Sequence, residues 1–317
     1  MSARPSALLN TSLAGLALAS PLVLAAGTAG VLAESADILD LSRIGAVVTK
    51  SITPEPRTGN APWRVVPERA AMLNAIGLAN PGIERFMREY ATLAGGLTCK
   101  VIASAAGFSI DDYERVVRGF AAEPALAAVE LNVSCPNVHG GTEFGADTGA
   151  LRELVSTVRR VWENRPLIVK LPPVTIGTPA GIVDLARTAV ESGADALTLC
   201  NTIPAMSIDP ATRRPRLASV TGGMSGPAIH PIITRLVHDV YQRFARDAKV
   251  PIIGLGGVSR WQDAASFILA GATAVGVGTG MFIDTRSPLR IIRGLERWAH
   301  EQRVSRISDL IGKLEAA

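Results

Sequence analysis

The chain has 317 residues, 48% hydrophobic and 19% charged, which is ample for a large buried core and excludes a disordered or coiled-coil polymer. Its formal net charge of +4 suits anionic small molecules or RNA, but the arginines are scattered along predicted helices, which reads more simply as an Arg-rich surface. Three irregularly spaced cysteines, Cys99, Cys135 and Cys200, make neither a disulfide framework nor a zinc pattern and point to a reducing, cytoplasmic setting.

Taken in order, the chain opens on an apolar, small-residue stretch at 7–33 with the look of a secretory signal. Asn10, Thr11, Ser12, Ser20 and Pro21 interrupt it and leave no span long enough for a membrane helix. We read it instead as a β-hairpin over residues 6–19, turning near Gly15, and then a first strand at 21–27. Short apolar runs at 45–49, 100–104, 128–133, 167–171, 196–200, 251–256 and 274–278 read as seven further strands. Amphipathic helical segments fall at 83–93, 110–120, 148–162, 180–192, 227–248, 261–270 and 288–300. Eight strands alternating with helices predict an α/β fold: one (β/α)8 TIM barrel spanning residues 1–317. A doubly wound open sheet is the alternative, disfavoured because no GxGxxG turn follows the first strand. Long connections follow strands two, four and six (50–81, 134–147 and 201–226), and in a barrel all three leave the same face.

That face collects the residue types that carry chemistry. Strand four runs into NVSCPNVHGG, so Cys135 stands at a strand's carboxyl end among Asn132, Ser134 and Asn137. A thiol there is either a base or nucleophile, if its surroundings favour the thiolate, or a small buried side chain. Strands seven and eight end in the Gly-rich turns GLGGVS (254–259) and GVGTGMF (276–282), and TGGMSG (221–226) precedes a helix. Such turns let backbone N–H groups close on a phosphate, although tight turns need glycine anyway. Lys50 and Lys170 end strands two and five, where burial asks for an anionic or electron-rich partner. Three of the four histidines fall on predicted helices, His139 lies four residues beyond Cys135, and no Ser-His-Asp order or HExxH helix is present.

Together these motifs resemble the dihydroorotate dehydrogenases. The similarity runs from about residue 12 to the carboxyl end through MLNAIGLANPG (72–82), ELNVSCPNVHGG (130–141), VKL (169–171), CNT (200–202), GGMSGPAI (222–229), IIGLGGV (252–258) and VGVGTGMF (275–282). It is greatest to class 1, and within it to the class 1B catalytic subunit. The resemblance implies FMN as cofactor, oxidation of dihydroorotate to orotate for pyrimidine synthesis, and Cys135 as catalytic base. It implies substrate contacts from Lys50, Asn74, Ile76, Gly77, Leu78, Asn132, Asn137, Asn201 and Thr202. FMN contacts are implied for Ala26, Lys50, Ser51, Ser104, Asn132, Lys170, Cys200, Gly226, Gly256, Gly257, Gly278 and Thr279. Ala26 and Ser104 depart from the serine and asparagine common in the family, each at the cost of one flavin hydrogen bond, about 1 kcal/mol. Further implications are a homodimer and a partner subunit carrying FAD and a 2Fe–2S cluster that hands electrons to NAD. Three cysteines cannot themselves hold such a cluster. No metal, nucleic acid or membrane partner is expected. The alternatives are a fumarate-reducing class 1A enzyme and, further off, an FMN-dependent tRNA-dihydrouridine synthase-like enzyme, against which the NAIGL stretch and the scattered charge speak.

Overall fold

A computed structural model of the chain describes residues 7–134, 144–173 and 180–315. Eight parallel strands close on themselves in chain order: Leu22–Leu24, Ala46–Val48, Lys100–Ala105, Leu126–Asn132, Leu167–Leu171, Ala196–Leu199, Ile252–Leu255 and Ala274–Val277. The open-sheet alternative is thereby excluded. The surrounding helices turn an apolar stripe onto the strands. In Ile110–Ala121 the residues Tyr113, Val116, Val117 and Phe120 are buried, one face at 3–4 residue spacing, and Ser109 caps the first turn by accepting from the Asp112 N–H. Thr148–Val161 repeats the pattern with Asp147 as cap and Leu151, Leu154, Val155 and Val158 inward.

Inside the cylinder the alternation of strand side chains sorts residues by height. Val23, Ala46, Val48, Ile102, Ala128, Ile168, Ala196, Ile253 and Ala274 form one buried apolar cluster to which every strand contributes. Leu13 and Leu18 of the amino-terminal hairpin belong to the same cluster. The hairpin pairs Thr11–Leu13 with Leu16–Leu18 through a two-residue turn, Ala14 and Gly15, both at positive φ. That is the primed turn whose twist suits a tight hairpin. It therefore plugs the end of the barrel that the strands' amino termini form, and its place near Gly15 is as the sequence indicates.

Two features differ from the sequence reading. Among the described residues no α-helix lies between the first and second barrel strands; two 3-10 turns, Glu34–Asp37 and Leu41–Arg43, stand there instead. The Glu34 carboxylate accepts from the Val31 and Leu32 N–H groups, a local side-chain closure that competes with a helix. The long connections after strands two and six are also not irregular. They pair with one another in a four-stranded antiparallel sheet, ordered Ile203–Met206, Thr221–Ser225, Met72–Asn74, Val65–Pro67.

The plug gives a stability prediction. Leu13 has no exposed surface, so Leu13→Ala is expected to cost about 2–5 kcal/mol in urea unfolding. Ser12→Ala, on the exposed face of the same hairpin strand, is expected to stay within about 0.5 kcal/mol.

Candidate active site

At the carboxyl end of the strands the next inward positions change character. Two residues beyond Ile102, Ala128, Ile168 and Ala196 stand Ser104, Glu130, Lys170 and Thr198, all buried and all polar. Above this layer opens a cavity of about 720 Å³, within the range of cofactor and substrate sites. Its floor is made by Ser51, Asn132, Lys170 and Cys200 at or just past the ends of strands two, four, five and six. Tyr113 donates its hydroxyl to the Asn132 carbonyl at 2.6 Å and steadies the end of strand four.

One wall comes from the cross-paired sheet and its flanks: Asn74, Ile76, Gly77 and Leu78 with Asn201 and Thr202. The Asn74 amide donates to the Gly223 carbonyl at 3.2 Å, which ties the loop after strand two to the loop after strand six. Asn201 donates to the Asn132 side chain at 3.1 Å and accepts from the Thr202 N–H at 2.8 Å. Three amides are thus held in one cluster with donor and acceptor capacity left over.

The opposite wall is glycine-rich: Gly226, Gly256, Gly257, Gly278 and Thr279, beside Ala26. Gly257 sits at φ +71°, and a Cβ there would meet the Gly226 carbonyl oxygen at 2.7 Å and His230 at 2.8 Å, so no larger residue fits. The backbone N–H groups of Gly257, Gly278 and Thr279 take no backbone acceptor among the described residues. Thr279 donates to Ser225 at 2.7 Å, and Ser225 donates to the Met72 carbonyl, which fixes the turn against the sheet. A cradle of free N–H groups that side chains would fill fits a phosphate-bearing cofactor.

The cavity is positively charged. Lys50, Lys170 and Arg57 line it and, among the described residues, no aspartate or glutamate does. Burial pushes the Lys50 pKa down, and the neighbouring charges of Arg64 and Lys170 push it the same way. Gly27, at φ +78°, leaves room for this lysine, because a Cβ there would lie 3.2 Å from Nζ. Both described cysteines are held as thiols: burial pushes Cys99 up to about 11 and raises Cys200 further, against a smaller opposing pull from Lys170. Neither is poised as a base at neutral pH.

Of the residues singled out from the sequence, Cys135 and Asn137 lie outside the described residues, as does His139. Ser134, immediately before Cys135, lines the cavity with its hydroxyl buried and unpartnered among the described residues. Ser104 does not line the cavity; it is fully buried, its hydroxyl 2.9 Å from that of Ser51 and its N–H bonded to Thr49. All the other named residues meet there. The sequence reading missed Arg57, which stacks 4.7 Å over the Phe108 ring and donates to the Gly77 carbonyl at 3.3 Å. Its signal was an arginine next to Gly59 and Asn60 inside a long post-strand loop. Asn60, which lines the same wall, donates to the Ala75 carbonyl at 2.9 Å.

Comparison with known proteins agrees with this arrangement. The sequence model for "Dihydroorotate dehydrogenase" matches residues 8–298. A protein of Solibacter usitatus named putative dihydroorotate dehydrogenase A (fumarate) is 44% identical over 97% of this chain and 98% of its own length. Proteins named dihydroorotate dehydrogenase B (NAD(+)), catalytic subunit, are 43% identical in Pelobacter propionicus, over 97% and 98%, and 42% identical in Geotalea uraniireducens, over 96% and 98%. With the barrel, the amide cluster and the glycine cradle in place, and with matches that run nearly end to end, this chain belongs to the dihydroorotate dehydrogenase family.

Proposed function

We propose that the protein oxidises dihydroorotate to orotate in pyrimidine biosynthesis, with FMN as the bound hydride acceptor and Cys135 as the base. The observation that carries this reading is the single cavity in which Lys50, Asn74, Asn132 and Asn201 face a glycine cradle. The amides of Asn74, Asn132, Asn137 and Asn201 match the alternating N–H and C=O groups of a dihydropyrimidine, since each amide both donates and accepts. Lys50 supplies positive charge to the substrate carboxylate, and Ile76, Gly77, Leu78 and Thr202 close the wall beside it. Gly226, Gly256, Gly257, Gly278 and Thr279 would hold the phosphate of FMN, and Ser51, Lys170, Cys200 and Ala26 would contact its ring. FMN, when bound, supplies the hydride-accepting chemistry that no side chain of this protein offers. Cys135 takes the proton, a role to which the raised pKa values of Cys99 and Cys200 leave both unsuited.

The electrons leave for NAD through a partner subunit, to which the resemblance assigns FAD and a 2Fe–2S cluster; the relatives in Pelobacter and Geotalea are named as catalytic subunits of an NAD(+)-linked enzyme. Transfer to fumarate at the same site is the second reading, because a relative of equal similarity carries that name. The RNA-directed reading loses its ground, since the family match covers most of the chain. Among the described residues no helix is long and apolar enough to cross a membrane.

Purified protein is expected to be yellow and to release FMN on denaturation; colourless protein that cannot be reconstituted with FMN overturns the reading. Cys135→Ala is expected to slow flavin reduction by dihydroorotate about 10²–10⁴-fold with FMN still bound, followed by stopped-flow absorbance. Unchanged rates remove Cys135 from the base role. Lys50→Gln is expected to weaken orotate binding by about 1.5–3 kcal/mol, read from the flavin absorbance change on titration. In the unsubstituted protein that binding is expected to fade as the pH rises through the lowered Lys50 pKa, because only the protonated amine attracts the carboxylate. Turnover of the chain alone with fumarate, compared with NAD, decides the acceptor: rapid unaided fumarate reduction moves it to class 1A.

A further inference from the structure

Glu130 is the one aspartate or glutamate among the described residues that is buried, at 2% exposure. It lies on strand four, two residues before Asn132 and on the same inward face, in register with Ile168 of strand five. Lys170 follows two residues later on that strand and pairs in register with Asn132 on one side and Thr198 of strand six on the other. The Thr198 hydroxyl donates to Glu130 Oε2 at 2.7 Å. The two residues thus clasp from the strands that flank strand five, in the polar layer to which Lys170 belongs. The second carboxyl oxygen, Oε1, is fully buried and has no hydrogen-bond partner among the described residues.

A carboxyl in this place is costly to bury, and an apolar residue of similar volume would often give an equally stable or more stable core. The layer beneath shows that this barrel accepts such residues, with Ala128 and Ile168 on the same two strands. What a carboxylate adds to such a layer, and an isosteric amide does not, is negative charge. Lys50, Lys170, Arg57 and Arg64 make the mouth positive, and none of the ion pairs of the described residues involves Lys50 or Lys170. Among the described residues Glu130 is the one acidic group in the buried polar layer beneath the cavity. A charge buried there, out of reach of solvent screening, would act on its neighbours over several ångströms.

We propose that Glu130, held by Thr198 in the polar layer to which Lys170 belongs, limits how strongly the cavity attracts negative charge. This rests on the reading of the cavity as the site of FMN and orotate. Both the two-electron reduction of a flavin and the binding of orotate place negative charge above Lys170. An unopposed cluster of cations favours both, at the cost of a tightly retained product. Glu130 offsets part of that pull.

Glu130→Gln separates charge from shape, because an amide oxygen still accepts from Thr198. In the FMN-bound chain, orotate is expected to bind about tenfold more tightly. The flavin midpoint potential is expected to rise by about 30 mV, the two-electron equivalent of a tenfold change. Glu130→Met, which fills the same space with no polar atom, is expected to move the potential in the same direction and guards against a variant that fails to fold. A potential that stays in place or falls in the folded, FMN-bound variants overturns the inference, whatever happens to the melting temperature. A carboxyl with a merely structural role produces that result, by altering melting and leaving the potential alone. Failure of the unsubstituted chain to bind FMN at all sinks the functional reading; an FMN-bound variant with an unmoved potential sinks this inference alone.

Discussion

In a closed parallel barrel every second side chain of each strand is sealed inside the cylinder, so a polar group there must find a partner or face an open end. An unmet buried hydrogen-bonding group costs about 1–3 kcal/mol, enough to decide which end can be polar. Here the lower inward layer is apolar on every strand and is shut by Leu13 and Leu18 of the hairpin. One step of two residues higher, Ser104, Glu130, Lys170 and Thr198 are polar, and they are tolerable because the cavity opens directly above. The chemistry is confined to one end of the barrel by this alternation.

The loops complete what the strands begin. Strand five delivers Lys170 on the barrel itself, and the loops from strands two and six deliver Asn74 and Thr202 on a shared sheet. Cross-pairing matters because a single long loop has little to hold a side chain in place, whereas backbone pairing of Gly223 with Asn74 sets the register of both. Gly223 is itself constrained: a Cβ there would overlap the Thr202 hydroxyl. The amide cluster and the glycine cradle are therefore positioned by the same sheet, from opposite sides.

Charge is distributed to the same effect. The chain's modest excess of +4 is mostly spent on exposed helix faces, where pairs such as Arg85–Glu89 and Arg118–Glu114 contribute little. In the cavity three cations gather with no lining carboxylate among the described residues, and low solvent access makes each count for more. The positive character of the cavity follows from that local concentration of charge, not from the overall balance. Relatives named for different electron acceptors are 44% and 43% identical to this chain.

Much of this was legible in the residues themselves. Strands buried on both faces read as continuous apolar runs, so Leu167–Leu171 and Ala274–Val277 were found almost to the residue. The glycine turns after strands seven and eight, the lysines at strand ends and the hairpin at Gly15 likewise follow from local residue chemistry. The missing first helix, the sheet shared by two loops, the stacking of Arg57 on Phe108 and the burial of Ser104 against Ser51 were not legible. Each joins segments far apart in the chain, and local periodicity records which face of an element is apolar, not what that face will meet. Glu130 shows the division most sharply. Its place on a strand was written in the sequence, but only closure of the barrel put its carboxyl beside Thr198, with one oxygen left without a donor among the described residues.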